Sequence, residues 1–353
     1  MTEKTRVDPY GFVRLPEGGP ERLPAIPQHR FDGLSGRLEC RLTAKTRLFV
    51  YHPTFARHVG SGHQEARFPV RDGVAVIPGS SLKGVIRSLA EAVAPGCFTL
   101  FDGPTYRGSG ITRDQSLRAD LPHEYRQCSR RAELCPTCRL FGFLRGNEVQ
   151  TGKVHISDAI SPQDNYTLMN MITLEVLSAP KPEGRPGAYT QQKKGQTVVR
   201  GRKFYRHRLD DVTPRAGGKK DRQNKTVQPV APKSVFTFEV EYNDLRKEEL
   251  RLLLYALALE PGLWHKVGLG KPIGLGSAHI EITAWEKIDR QARYKAFGSG
   301  IAEPLINQAL HTELDTWLRP YRESDAPHLQ DLRELWGYEH DYEVRYPAPQ
   351  RSW

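Results

Sequence analysis

Residues 76–93, V-I-P-G-S-S-L-K-G-V-I-R-S-L-A-E-A-V, constrain the fold more than any other stretch of the chain. A short apolar approach through Val74, Val76 and Ile77 meets Pro78-Gly79, which ends a strand, and Ser80 or Ser81 then stands where a helix N-cap belongs. After the cap, Leu82, Val85, Ile86, Leu89 and Val93 recur at helical spacing, so one helix face is core. Lys83 and Arg87 lie four apart and share the other face. A helix that opens on Gly and two Ser offers backbone N–H groups and hydroxyls to an anion, with two cations beside it. The plainer alternative is a capped amphipathic helix that happens to carry a Lys and an Arg.

The rest of the chain can be ordered around this unit. Residues 1–34 form an extended arm with Pro9, Pro16, Pro20, Pro24 and Pro27, expected to lie over another surface or a partner. Residues 36–50 read as a first strand, with Leu38, Cys40 and Leu42 alternating against Arg37, Glu39 and Arg41. Residues 52–71 read as a loop carrying His52, His58 and His63. A second strand is expected over residues 152–160 and a third over 234–242, where Phe236, Phe238, Val240 and Tyr242 share a face. Asn243-Asp244 can cap a second helix with Leu250, Leu253, Leu254 and Leu257 as its apolar stripe. A glycine-rich loop (264–276), a fourth strand (278–283) and short helices near 306–318 and 329–336 follow. Without insertions the order is βαββαβ, an α+β, ferredoxin-like or RRM-like domain over 35–286. Its insertions are 97–150 and 178–233, and residues 287–353 form a C-terminal helical extension.

The net charge of +11 is informative because of its location. Residues 181–225 hold 14 Lys or Arg against four acids, a local excess of +10, which suits a polyanion. A solvated loop is the alternative. With no run of 18 apolar residues and no apolar signal region at the N-terminus, the expectation is a soluble, cytoplasmic protein with no membrane partner. Five Cys, three of them bunched, fit a reduced compartment and a metal site better than a disulfide framework. Cys135 and Cys138 form a C-x-x-C, with Cys128 seven residues earlier and His123 five before that. His123, Cys128, Cys135 and Cys138 would close a tetrahedral structural Zn²⁺ site, Cys97 being the substitute for His123.

The loop W-H-K-V-G-L-G-K-P-I-G-L-G contains Gly268, Gly270, Gly274 and Gly276 around Lys271. A dinucleotide fingerprint needs a strand before it and a helix after it, and here the order is reversed. What remains is a flexible loop whose backbone can approach a phosphate or base closely. P-G-S-S-L-K-G-V-I-R (78–87) and G-L-G-K-P-I-G-L-G-S (268–277) together resemble the two signature motifs of the RAMP superfamily of CRISPR-associated proteins. C-P-T-C-R-L-F-G (135–142) and R-G-R-K-F-Y (200–205) resemble further segments of its type III members.

The resemblance implies an RRM-derived fold, binding of CRISPR guide RNA and of target RNA, and a place among other effector subunits in a ribonucleoprotein. It also implies that the first helix and glycine loop contact the guide while an inserted β-hairpin thumb pushes between bases. Carried over to this chain, it nominates Ser80, Ser81, Lys83, Arg87, Gly268, Gly270, Lys271, Gly274 and Gly276. In the basic insertion Arg200, Arg202, Lys203, Phe204 and Tyr205 combine cations with stackable rings, as single-stranded RNA binding requires.

Backbone subunits that cut target RNA carry an Asp between the first strand and first helix, in a motif this chain lacks. Asp72 is the candidate, holding Mg²⁺ or another divalent ion if it acts. A guide-processing endoribonuclease using His52, His58 or His63 as acid or base is one alternative, and a non-catalytic capping subunit is another.

Overall fold

A computed structural model describes residues 5–25, 27, 32–60, 62–98, 121–177, 189–193, 196–209, 218–296 and 298–346. The irregular stretch 99–120 and parts of the basic insertion lie outside the described residues, as do residues 347–353 of the C-terminal extension.

The fold is mixed α+β, built on a curled antiparallel sheet. Its elements in chain order are β1 (Leu34–Ala44), β2 (Val74–Ile77), α1 (Gly79–Val93), β3 (Val154–Ile156), β4 (Ala159–Ser161), β5 (Arg202–Tyr205), β6 (Val235–Leu245), α2 (Lys247–Ala258), β7 (Ser277–Ile288), α3 (Asn307–Arg322) and α4 (Pro327–Trp336). Across the sheet the order is His265–Lys266, β7, β1, β6, β4, β2 and Val70–Arg71, with β3 also on β6, every pair antiparallel. β5 stands apart from this sheet.

Alternation explains the long strands. Phe238 sits opposite Cys40, and Cys40 opposite Ile282, all in one buried row. Leu38 and Leu42 on β1 join Phe236, Val240 and Tyr242 on β6 in the same core as Leu82, Ile86 and Leu89 of α1 and the α2 leucines. Each fully buried Leu or Ile contributes roughly 2 kcal/mol of transfer free energy. α1 therefore packs against α2 over the sheet.

Several boundaries differ from the sequence reading. Neither Ser80 nor Ser81 caps α1: the cap is Pro78, and the Gly79 N–H donates to Asp158 Oδ1 at 2.8 Å. A Cβ on Gly79 would lie 2.3 Å from the Ile156 carbonyl, so the helix can start there only with glycine. Asn243-Asp244 does not cap α2, because β6 runs on through Leu245 and leaves Arg246 as the cap. Glu249 Oε2 accepts from the Arg246 N–H at 2.9 Å, while Asp244 accepts from the Gly33 N–H at 2.6 Å. The 52–71 segment is not a loop; Ala56–Val59 and His63–Arg67 form a hairpin in a second, four-stranded sheet.

Within the chain, the arm and tail hold one another. Arg6–Val7 pairs in parallel with Glu343–Val344, and Tyr10–Val13 pairs with β5. The arm, expected to lie over another surface or a partner, is thus engaged at these positions by the chain itself.

Candidate nucleic-acid interface and metal centre

The glycine loop between α2 and β7 is a compact turn and not the flexible loop expected. Gly268, Gly270, Gly274 and Gly276 all have φ between +79° and +103°. A Cβ on Gly276 would lie 1.9 Å from the Val267 carbonyl oxygen, and one on Gly268 2.1 Å from that of Phe49. No other residue fits either place. The Leu269 N–H donates to Phe49 O at 2.8 Å, so the loop is pinned to the chain leaving β1. Lys271 Nζ folds back to Gly268 O at 2.6 Å.

This turn forms one wall of an open cavity of about 510 Å³. Gly268, Leu269, Lys271 and Lys266 come from the glycine loop and its approach, and Ser81, Gly84, Val85 and Ser88 from one face of α1. Lys203, Phe204 and Tyr205 of β5, with Val50, Tyr51 and Trp336, complete it. Among the described residues, three lysines line the cavity and no carboxylate does. Burial lowers all three from the ordinary lysine value, Lys266 to about 7. Lys266 is 2% exposed, and its Nζ reaches the Leu275 carbonyl at 3.2 Å. A buried ammonium with no carboxylate among the described lining residues is costly by itself, and an anion in the cavity would relieve that cost.

Aromatic surface accompanies the cations. Lys203 Nζ sits 3.7 Å from the Tyr10 ring centroid and 5.3 Å from that of Tyr205. Tyr51 is 37% exposed, whereas Phe204 is buried against Trp336. Gly84 is notable because a glycine inside a helix costs about 1 kcal/mol relative to alanine. A Cβ there would meet nothing within 4 Å, so no neighbouring group requires the glycine. It leaves the α1 backbone open toward the cavity.

Of the nominated RNA-contact residues, Ser81, Lys203, Phe204, Tyr205, Gly268 and Lys271 line the cavity; the others do not. Ser80 is exposed in the first turn of α1. Lys83 Nζ donates to the Val154 carbonyl at 2.9 Å. Arg87 is bound to Glu91 at 2.9 Å and to Gly142 O at 3.1 Å. Arg200 Nε donates to Thr190 O at 3.0 Å and its guanidinium lies over Phe12. Arg202 turns inward to Glu91, and Gly270, Gly274 and Gly276 shape the loop. Sequence reasoning missed Tyr51, Gly84, Ser88, Lys266 and Trp336. The one available signal was Lys266, a cation set just before the glycines.

Behind α1 lies the cysteine cluster. The Sγ atoms of Cys97, Cys128, Cys135 and Cys138 lie within 4.8 Å of one another, all buried. The fourth member is Cys97 and not His123, because the end of α1 delivers Cys97 directly over Cys135 and Cys138, its N–H 3.4 Å from Cys135 Sγ. Cys97 Sγ and Cys138 Sγ are 3.6 Å apart, against about 3.8 Å for one S–S edge of a tetrahedral tetrathiolate zinc site. Hydrogen bonds from Cys128, Cys138 and Cys97 hold the Cys135 thiol well below its ordinary range, while Cys128 and Cys135 push the Cys97 and Cys138 thiols up, so four thiolates together call for a cation. The donor set therefore fits a soft divalent ion such as zinc in a closed, non-catalytic site. Arg22 Nη1 donates to Cys128 Sγ at 3.0 Å and offsets the thiolate charge.

The candidate catalytic groups lie elsewhere. Asp72, at φ +50°, is exposed in the turn between Val70–Arg71 and β2, the local geometry Asp and Asn tolerate best. His52 Nδ1 accepts from the Thr54 N–H, and His58 is exposed on its hairpin strand. His63 is 3% exposed, with its ring nitrogens on Asp221 O and Thr226 Oγ1. None of these four lines the cavity. The outer sheet face is also unsuited to RNA: Arg37 pairs with Glu239 and Glu286, Arg41 with Glu281, and Glu39 and Glu241 are exposed.

Compared with known proteins, residues 43–279 match the sequence model described as the RAMP superfamily, two thirds of the chain. No curated protein matches the chain. Among the described residues no helix is long and apolar enough to cross a membrane.

Proposed function

The chain belongs to the RAMP superfamily of CRISPR-associated, RNA-binding proteins, and from that membership we propose that it is a guide-RNA-holding subunit of a type III effector complex. One observation carries the reading: α1, β5 and the glycine loop, far apart in sequence, converge on one cavity lined, among the described residues, by three lysines and no acid. Phosphodiesters would lie against Lys203, Lys266, Lys271 and the α1 backbone at Gly84, with bases against Tyr51 and Tyr205. Such contacts ignore sequence, as a guide-holding subunit requires.

The ferredoxin-like, RRM-like reading of the domain has support in the sheet. Counting 154–161 as one strand, the four strands of the βαββαβ unit lie in the order fourth, first, third, second, all antiparallel. The hairpin Thr190–Lys193 with Gln196–Val199 is the candidate thumb, and it leads directly into β5. Other effector subunits would be needed to cover a full guide, one cavity of this size holding only a short stretch of RNA.

Binding is tested with Gly84. Gly84→Ala should stabilise the protein by about 0.5–1 kcal/mol, because the position is helical and open. Gly84→Leu should fold equally well yet bind single-stranded RNA about tenfold more weakly, because its side chain fills the cavity. Equal RNA affinity of Gly84→Leu and the parent, by fluorescence anisotropy, would remove the cavity from the binding site.

Cleavage is tested at Asp72. With guide-loaded complex, complementary target and Mg²⁺, Asp72→Ala is expected to leave both RNA affinity and the cut pattern unchanged. Disappearance of one cut with binding intact would instead make Asp72 the metal-holding acid of a target-cleaving subunit.

A further inference from the structure

Two walls of the cavity are tied to the four-cysteine centre through one carboxylate. Glu91, in the last turn of α1 and 9% exposed, accepts from Arg87 Nε on Oε1 at 2.9 Å and from Arg202 Nη1 on Oε2 at 3.1 Å. Each arginine continues to the cysteine shell from its own side. Arg87 Nη2 stands 3.8 Å from Cys138 Sγ. Arg202 Nη2 donates to the carbonyls of Gly96 at 2.9 Å and Cys97 at 3.0 Å, while its guanidinium lies 4.7 Å from the Phe98 ring centroid. The residue after each arginine, Ser88 on α1 and Lys203 on β5, lines the cavity.

We propose that the four-cysteine centre sets the spacing between α1 and β5, so that RNA affinity depends on the bound metal through Glu91 and Arg202, although no cysteine lines the cavity. The proposal rests on the RNA-binding reading of that cavity. With the shell closed around an ion, the Cys97 carbonyl and the Cys138 sulfur are fixed points, and the two guanidiniums are held at one separation by Glu91 between them. An opened shell frees the Cys97 carbonyl and the Cys138 sulfur together. Arg202 is then left with Glu91 as its ionic partner, and β5 with the arm strand Tyr10–Val13 as its ladder. A buried network with some partners removed does not keep the geometry of the full one. Arg202 and Glu91 are thus positioning residues: they act on RNA through Lys203 and Tyr205.

The test measures anisotropy of a fluorescein-labelled single-stranded RNA, about ten nucleotides long, on the full-length chain, metal-loaded and chelator-stripped. Stripping should weaken binding by the wild type about tenfold. Metal-loaded Arg202→Gln should retain its ion, by elemental analysis, yet already bind about tenfold more weakly, with stripping adding no further loss. Glu91→Gln should behave the same way. That lost dependence on metal separates positioning from a general loss of stability. Full affinity in metal-loaded Arg202→Gln overturns the proposal, as does full affinity in folded, stripped wild type. If stripped protein unfolds, the metal-loaded variants decide alone. If the metal-loaded wild type binds no RNA, it is the RNA-binding reading that fails. The coupling is then read from amide hydrogen exchange at residues 202–205, which should accelerate in metal-loaded Glu91→Gln and which, unchanged, would refute it.

Discussion

Cys138→Ser is expected to abolish metal binding and to destabilise the protein by about 4 kcal/mol or more. The reason is the size of the core that surrounds the site. Among the described residues, apart from the four cysteines, only Leu134 and Phe143 are buried in that cluster, with Ala25 of the arm packed against it. So small a cluster adds little to folding by itself, whereas a closed tetrathiolate site contributes its binding energy directly to folding. The shell also borders structure that matters elsewhere: α1 ends beside it and Arg87 and Arg202 touch it. Elemental analysis should find one ion in the parent and none in the variant, and thermal unfolding should shift accordingly. Cys40→Ala is the control. Cys40 is buried in β1 between strands, outside the cluster, so that variant should keep its ion and lose only packing. Metal retained by Cys138→Ser, or an unchanged melting temperature, would contradict this account of the lobe.

Lys266→Met is expected to weaken RNA binding at least about tenfold while leaving stability equal or higher, an unusual combination for a core substitution. Methionine replaces the stem of the lysine and removes a charge whose burial has no carboxylate to offset it. The pH dependence follows from the same group. Its folded pKa of about 7 lies below the ordinary value of 10.5, with burial as the main cause and Lys271 adding repulsion. Between those two values the unfolded chain carries more protons than the folded one, so wild-type stability rises with pH across that window and is independent of this group below it. RNA favours the charged form, so affinity should fall as pH rises above about 7. In Lys266→Met both slopes should flatten. The logarithmic salt dependence should also decrease by about 0.7 if one phosphate contact is lost. Unchanged affinity in this variant would mean that the lysine serves the fold and not the ligand.

The legible parts of this chain are those whose periodicity is local. The stripe of α1, the leucines of α2 and the alternation of β6 and β7 can be read directly, and the elements form where the pattern puts them. Val85 is an instructive partial exception: its spacing assigns it to the core, but it faces the cavity and is only half-buried. What the sequence hid is long-range pairing. The basic excess of residues 181–225 looks free to meet a polyanion, yet Arg202 is held by Glu91, Arg206 by Glu334 and Lys220 by Glu65, each more than a hundred residues away. Cys97 was obscured in the same way. Sequence proximity to Cys128 favoured His123, but the course of α1 decides which side chain arrives at the cysteine cluster. The arm offered no period at all, and its order comes from β5 and the tail strand.

The central claim is that RNA lies in the cavity between α1, β5 and the glycine loop. It is tested most directly by photo-crosslinking a 4-thiouridine-substituted RNA to the metal-loaded, full-length chain and mapping the modified peptides. Adducts are predicted on Tyr51 and Tyr205, the rings placed beside the cavity lysines. Adducts confined to the outer sheet face around Arg37 and Arg41, with none on the cavity residues, would contradict the account.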